Sequence, residues 1–350
     1  MQQASQVKIR VPDGLEYPFP QPPASAELRE VATGVFWLRM PLPFALEHIN
    51  LWLLADGEGW TIVDCGFGTD ETRARWQQIF AASRKGKPVT RIVVTHFHPD
   101  HFGLAAWLAD YWHAPVHMTE PEFAVARGWF DARELHRREA HVTMFRSHGL
   151  DLAEDSALHR KNLFKRGVPA LPAAIVPLHD GESLTINGRE WRVITGYGHS
   201  PEHAALHCPE LNVLIAGDIV LPRISTNVSV QPATPDADPL GRFLDSLTRY
   251  AELDAATLVL PSHGLPFYGL RERIATLKQH HADRLDELVA VCGEPRTGAQ
   301  MMPVIFKRVL DAQQTLFAMG ETLSHINYLH RRGQLARLRG DDGIYRYARA

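Results

Sequence analysis

Between residues 95 and 103 the chain reads Thr-His-Phe-His-Pro-Asp-His-Phe-Gly. Three imidazoles and a carboxylate fall within six residues, directly after the β-branched run Arg-Ile-Val-Val-Thr at 91–95. Such a run reads as a strand, and the segment 102–112 after it reads as a helix. His96 and His98 can point the same way once the strand stops pleating, while Asp100 and His101 fall on the first helical turn. Donors this dense are ligand chemistry for zinc or a similar borderline metal. A solvated, His-rich turn is the bland alternative. Against it stands a wider excess of imidazole, 19 His beside only three Cys.

Further donors arrive in order, each at the end of a strand-like run. Asp64 sits in Thr-Ile-Val-Asp-Cys-Gly, and His199 in Thr-Gly-Tyr-Gly-His-Ser after Glu-Trp-Arg-Val-Ile-Thr. Asp218 follows Val-Leu-Ile-Ala-Gly, and His263 ends Val-Leu-Pro-Ser-His. One His after a strand is usually structural; placed together on one sheet edge, these residues form a site. Alternation of strands and helices over 34–118 predicts an α/β layered domain.

At 350 residues the chain suits about two domains. Residues 1–30, rich in proline, read as an extended arm on the surface. Residues 31–268 carry the site, with a mostly helical insertion over about 119–166 and short strands resuming at 173–176, 184–186, 190–195, 204–207, 213–216 and 257–260. Residues 269–350 turn helical and close on a hairpin around Gly340–Gly343, the outline of a winged helix. An apolar share of 45% with 22% charged residues excludes disorder. A net charge of −3 gives no basic field toward nucleic acid. The longest uncharged apolar stretch, 167–178, holds three prolines and is too short to span a bilayer. No apolar signal-like core follows Met1, and three cysteines make no disulfide framework, so a reducing cytoplasm is expected.

The run His-x-His-x-Asp-His, with Asp64, His199, Asp218 and His263 in that order, resembles the metallo-β-lactamase superfamily over roughly residues 30–268. The resemblance implies an αβ/βα four-layer sandwich, here with a small helical, winged-helix-like C-terminal domain. It implies two divalent metal ions, zinc first, with iron or manganese also compatible. His96, His98 and His199 would hold one ion; Asp100, His101 and His263 would hold the other, and Asp218 would bridge them. Asp64 would accept from a ligand imidazole, or else cap the loop backbone. His203 matches the second His of the family's Gly-His-x-x-x-His stretch and is expected behind the ligands. Two departures bear on chemistry. Asp218 stands where the commonest dinuclear β-lactamases have Cys, which disfavours antibiotic hydrolysis. The usual Thr-Pro-Gly-His reads Thr-Gly-Tyr-Gly-His, so Tyr197 either contacts substrate or packs in its loop.

Two metals in this family activate a bridging hydroxide, so the expected reaction is hydrolysis, with Asp100 orienting the hydroxide. Selectivity for the bond is expected from what covers the site. Residues 127–166 hold nine Arg and Lys against six Asp and Glu, Arg137 and Arg138 among them, a composition that suits an anionic substrate or a plain solvated helix pair. Arg223 either grips a substrate anion or pairs with a surface acid. Phe123, Trp129, Phe130 and Phe145 are expected to line an apolar channel. The chain resembles glyoxalase-II-like and acyl-thioesterase-like members, so a thioester ranks first among small acyl substrates and a lactone second. A metal-dependent endoribonuclease or phosphodiesterase is the main rival, because the tail at 331–350 carries six Arg. A mononuclear dioxygenase is a weaker one. The tail is expected to serve packing, homodimer formation or a pocket wall rather than nucleic-acid recognition.

Overall fold

A computed structural model of the chain describes residues 9–10, 14–44, 46–82, 87–131, 134–151 and 163–350. A short pair, β1 (Ile9–Arg10) and β2 (Glu16–Tyr17), precedes a seven-stranded sheet of β3 (Arg29–Ala32), β4 (Val35–Pro41), β5 (His48–Asp56), β6 (Gly59–Val63), β7 (Val89–Val93), β8 (Val116–Met118) and β9 (Val176–Pro177), in that spatial order. A second sheet runs β10 (Ser183–Ile186), β11 (Arg189–Gly196), β12 (His203–Cys208), β13 (Val213–Gly217) and β14 (Leu258–Pro261). Trp37, Trp52, Val63 and Val93 of the first sheet share one apolar core with Trp191, Leu206, Ile215 and Leu260 of the second, so the sheets pack face to face.

The outer faces are covered by helices. Helices α1 (Asp70–Ala82), α2 (Pro99–Phe102) and α3 (Ala105–Trp112) lie on the first sheet, where Trp76, Ile79, Phe102 and Leu108 join its core. The expected single helix over 102–112 is broken at Gly103, where a Cβ would run into the carbonyls of Gly66, Pro99 and Gly167. The inserted segment supplies α4 (Glu120–Asp131), α5 (Glu134–Ser147) and α6 (Leu163–Gly167). On the second sheet lie α7 (Pro239–Ala251), α8 (Leu270–Val291), α9 (Gly298–Ile305) and α10 (Ala312–Arg331), followed by the hairpin β15 (Leu335–Arg339) and β16 (Tyr345–Arg349). The chain therefore has the α/β four-layer fold with a C-terminal unit of helices and a hairpin. These C-terminal helices share the second sheet's core, where Leu214 and Val259 meet Leu277, Leu323 and Ile326.

Two expectations need correction. The N-terminal arm does not merely lie on the surface: Leu15 and Tyr17 are buried, and Glu16 pairs with Tyr268 through backbone hydrogen bonds. An apolar side chain every second residue over so short a run is too brief to show periodicity. The strand expected at 173–176 shrinks to Val176–Pro177. The chain before it crosses the α1 side instead, and the Gly167 carbonyl accepts from Gly68 N.

Strand direction explains the placement of the site. β6, β7 and β8 run parallel, so Asp64 and His96 leave the same edge of the first sheet. β13 and β14 are parallel, and β11 shares their direction because two antiparallel pairings separate it from β13. His199, Asp218 and His263 therefore emerge together, opposite the first group.

Candidate metal centre

Seven side chains meet at this shared edge as two groups. His96, His98, His199 and Asp218 bring one donor atom each to within 4.8 Å of one another, and Asp100, His101 and His263 do the same. In the first group His96 Nε2 lies 2.9 Å from His98 Nδ1 and 3.2 Å from His199 Nε2. Asp218 reaches both groups: Oδ2 is 3.5 Å from His199 Nε2, while Oδ1 is 3.5 Å from His101 Nε2 and 3.6 Å from His263 Nε2. Asp100 Oδ2 lies 3.4 Å from His263 Nε2. Tetrahedral donors about 2.05 Å from one ion stand roughly 3.3 Å apart, so these spacings suit zinc-sized cations.

Four of the five imidazoles are aimed from behind, while His98 turns Nδ1 itself toward its group. His101 Nδ1 donates to Asp64 Oδ2 at 2.7 Å, His199 Nδ1 to the Asn227 carbonyl at 2.8 Å, and His263 Nδ1 to the His48 carbonyl at 2.9 Å. His96 Nδ1 lies 3.0 Å from Thr95 Oγ1, whose hydroxyl is in turn 2.9 Å from Asp64 Oδ2. Pinning Nδ1 leaves the Nε2 lone pair toward the group. His203 does not offer one. Its Nε2 accepts from Asp218 N at 3.1 Å, and it orients the backbone of Asp218. Gly217 makes this possible, because at φ 53° a Cβ there would collide with the His203 ring.

The donor set asks for cations. His101 Nε2, His263 Nε2 and Asp218 Oδ1 are buried and make no hydrogen bond among the described residues. Asp64, Asp100 and Asp218 form no ion pair with Lys or Arg among those residues, and histidines are their only ionic partners there. Burial disfavours the charged His101, yet Asp64, Asp218 and Asp100 outweigh it and hold the imidazole well above its usual range. Burial likewise opposes ionised Asp218, but His101 and His263 drive it well below the ordinary carboxylate value. Burial and the neighbouring His199 push His98 down to about 3 against the pull of Asp100 and Asp218. Two buried carboxylates and the partly buried Asp100, with only imidazole protons as counter-charge, form a donor set that suits divalent cations.

Glu122 had no signal in the sequence. It lies in the first turn of α4, fully buried, and ties together the loops that carry His98 and His199. Oε2 accepts from Phe97 N at 3.0 Å, while Oε1 accepts from Ser200 Oγ and Glu202 N at 2.6 Å each. Burial pushes its carboxyl up to about 7 despite these donors. Thr95, Asn227 and His48 were also missed, since backbone carbonyls and hydroxyls behind a ligand leave no pattern in residue type.

The remaining sequence-derived residues lie farther out. Tyr197 packs in its loop, its hydroxyl donating to Glu202 Oε1 at 3.1 Å and its ring under Arg242. Arg223 is exposed and stacks over Tyr17 rather than pairing with a surface acid. The side chains of Arg137 and Arg138 lie outside the described residues. Trp129 meets Phe97, beside His98, edge-on at 5.2 Å, and Phe164 closes the cluster. Phe145 does not join them. It is buried in the second sheet's core with Met144, because α5 ends against the C-terminal hairpin, where His148 Nδ1 meets the Tyr347 hydroxyl at 2.9 Å.

Comparison with known proteins agrees with this geometry. The family model described as metallo-beta-lactamase superfamily matches residues 45–263, which hold every residue of both groups. The chain belongs to the metallo-beta-lactamase superfamily. A second model, the metallo-beta-lactamase-like C-terminal domain, matches residues 285–350. Among solved structures, a beta-lactamase domain protein from Burkholderia ambifaria is 48% identical, covers 96% of this chain and 98% of its own, and superposes with a TM-score of 0.89. A metallo-beta-lactamase family protein from Thermus thermophilus is 33% identical over 92% of this chain and all of its own, with a TM-score of 0.78. A probable metallo-hydrolase from Bacillus subtilis is 26% identical over 302 residues, 84% of this chain and 92% of the relative. The superfamily supplies a metallo-hydrolase framework, and the donor groups found here are what it requires.

Proposed function

We propose that this metallo-hydrolase cleaves an ester-like acyl bond, with a thioester as the preferred class, using two divalent ions, zinc first. The observation that carries hydrolysis is Asp218, whose two oxygens serve separate histidine groups. When bound, paired ions supply Lewis acidity and bring the pKa of water between them toward neutrality. The protein's own contribution is geometric and protonic. Asp64, Asn227 and His48 fix the ligand tautomers, and Glu122 fixes the two loops. Asp100 turns Oδ2 toward His263 and His101, while Oδ1 makes no hydrogen bond among the described residues. In this reading that oxygen takes the proton of the attacking water and returns it to the leaving group.

The acyl preference rests on what surrounds the metals. Phe97, Trp129 and Phe164 give an apolar wall beside His98 that suits an acyl arm. On the His263 side, Arg39 is half-buried, and among the described residues its hydrogen bonds go to neutral acceptors, Asn50 Oδ1 and the Gly264 carbonyl. Arg223 sits across the same turn, where Pro222 lies against Gly264. Neither arginine meets a carboxylate among the described residues, so both can receive an anionic carrier. A thiol carrier bearing carboxylate or phosphate joins these two requirements. An atrochrysone carboxyl ACP thioesterase from Aspergillus fumigatus, 21% identical over 79% of this chain and 52% of its own length, is a relative with that chemistry in its name. Three buried, free cysteines suit a reducing cytoplasm, and no helix among the described residues is long and apolar enough to cross a membrane.

The nuclease reading loses its main support. Arg332 pairs with Asp238 at 2.8 Å, Arg337 with Asp236 at 2.5 Å and Arg346 with Asp342 at 2.7 Å, while Arg331 and Arg349 donate to backbone carbonyls. The test is metal analysis of purified protein with kcat/KM for acyl thioesters, acyl lactones, a cephalosporin and RNA. Thioesters are expected to lead, and Arg39→Gln with Arg223→Ala to cost most on anionic carriers. Lactones turned over faster than every thioester, unaffected by the arginine substitutions, would overturn the thioester assignment.

A further inference from the structure

The ligand His199 is anchored outside the catalytic sandwich. Its Nδ1 donates to the carbonyl of Asn227, and the side chain of Asn227 donates from Nδ2 to Glu321 Oε2 at 3.0 Å. Glu321 belongs to α10, where Ala318 to Asn327 are buried without a break. It makes no ion pair among the described residues, and burial pushes its carboxyl up to about 7. A surface acid would not be held this way, nor would packing alone select a carboxylate here.

The segment 226–230 is strapped to this helix at more than one point. Val230 N donates to the Gly320 carbonyl at 3.1 Å, and a Cβ on Gly320 would run into Ser229. Ser229 Oγ in turn donates to Asn227 Oδ1 at 2.8 Å, which fixes the amide so that Nδ2 faces Glu321. At its other end the strap returns to the site, since Thr226 Oγ1 donates to the Asp218 carbonyl. One short segment thus links α10 to a histidine of the first group and to the residue that bridges both.

We propose that Glu321, acting through Asn227, is a positioning residue for the His199 imidazole, so that helix α10 of the C-terminal unit is an outer part of the metal centre. This rests on the metal-centre reading above. Outer partners of a metal-bound histidine set its tautomer and ring angle, and their loss typically weakens metal binding 10- to 100-fold. One link farther out, the low end applies.

The test compares Glu321→Ala, Glu321→Gln and Asn227→Ala with the wild-type full chain. The first readout is zinc affinity by competition with a chromophoric chelator; the second is the His199 tautomer in metal-free protein by nitrogen-15 NMR. Glu321→Ala is expected to weaken the first zinc about tenfold and to mix the His199 tautomers, while Glu321→Gln, which still accepts from Asn227, restores both. Asn227→Ala cuts the same link from a loop and should match Glu321→Ala, which keeps the test valid if the helix variant folds poorly. Ser324→Ala removes a buried hydroxyl of the same helix that has no hydrogen-bond partner among the described residues, and should leave zinc affinity unchanged. Wild-type affinity and a single Nδ1-protonated His199 in both Ala variants would overturn the proposal. Should the wild type bind no divalent ion, the metal-centre reading fails, and the tautomer measurement still decides the link.

Discussion

Glu122→Gln is the substitution whose outcome the structure determines most closely. The carboxyl faces three donors, two of them backbone N–H groups that cannot turn away. A neutral acid can give its proton to Ser200 Oγ and still accept from Phe97 N and Glu202 N. An amide cannot: whichever way it is turned, its NH2 confronts one backbone N–H, leaving that donor buried and unmet, at a cost of about 1–3 kcal/mol. Burial raises the folded carboxyl from its usual 4.5 to about 7. Between those values the unfolded chain releases a proton that the folded chain retains, so wild-type stability falls as pH rises through the window, by on the order of 3 kcal/mol in full.

The variant does not titrate at this position. Its deficit relative to wild type is therefore largest near pH 4.5 and closes, or reverses, by pH 7 to 8. Chemical denaturation of metal-stripped wild type and variant across pH 4.5 to 8 measures the difference, which cancels the histidines that titrate in both proteins. A difference that stays flat across this range would refute the account of Glu122 as a buried acid joining two ligand loops.

Asp218→Ala removes the donor shared by both groups. It should lower kcat by orders of magnitude and leave fewer than two ions per chain, while circular dichroism stays native. Asp64→Asn keeps its shape but weakens the hold on His101 Nδ1, and should cost on the order of 10- to 100-fold in metal affinity or activity; equal losses in the two variants would place Asp64 among the ligands. Chelation should lower the melting temperature, since ions at one hundred times their dissociation constant add about 2.7 kcal/mol to the folded state, and an unchanged melting curve would argue against a bound metal. RNA and DNA should bind weakly, because five of the six tail arginines are engaged within the chain; sub-micromolar affinity falling steeply with salt would revive the nuclease.

What the sequence discloses about such a site depends on how far apart its parts are along the chain. His96, His98, Asp100 and His101 are legible because one loop carries them all. His199, Asp218 and His263 are legible for a second reason: parallel strand direction brings separate strand ends to one edge, and strand ends can be read from β-branched runs. Glu122, Asn227 and Glu321 obey neither rule. Each acts by hydrogen bonds across 25 to 94 positions, and residue type alone does not distinguish a Glu in a buried first turn from one facing water. Phe145 shows the same limit for packing. It shares a helical insertion and an aromatic character with Trp129, yet it faces the opposite core. The C-terminal unit adds the last step. Three of its tail arginines, prominent in composition, pair with Asp236, Asp238 and Asp342, whereas a carboxylate hidden within α10 reaches toward the donor groups. Charge that can be counted in a sequence describes the surface of this unit; the tie that connects it to the chemistry is the one buried acid that counting does not single out.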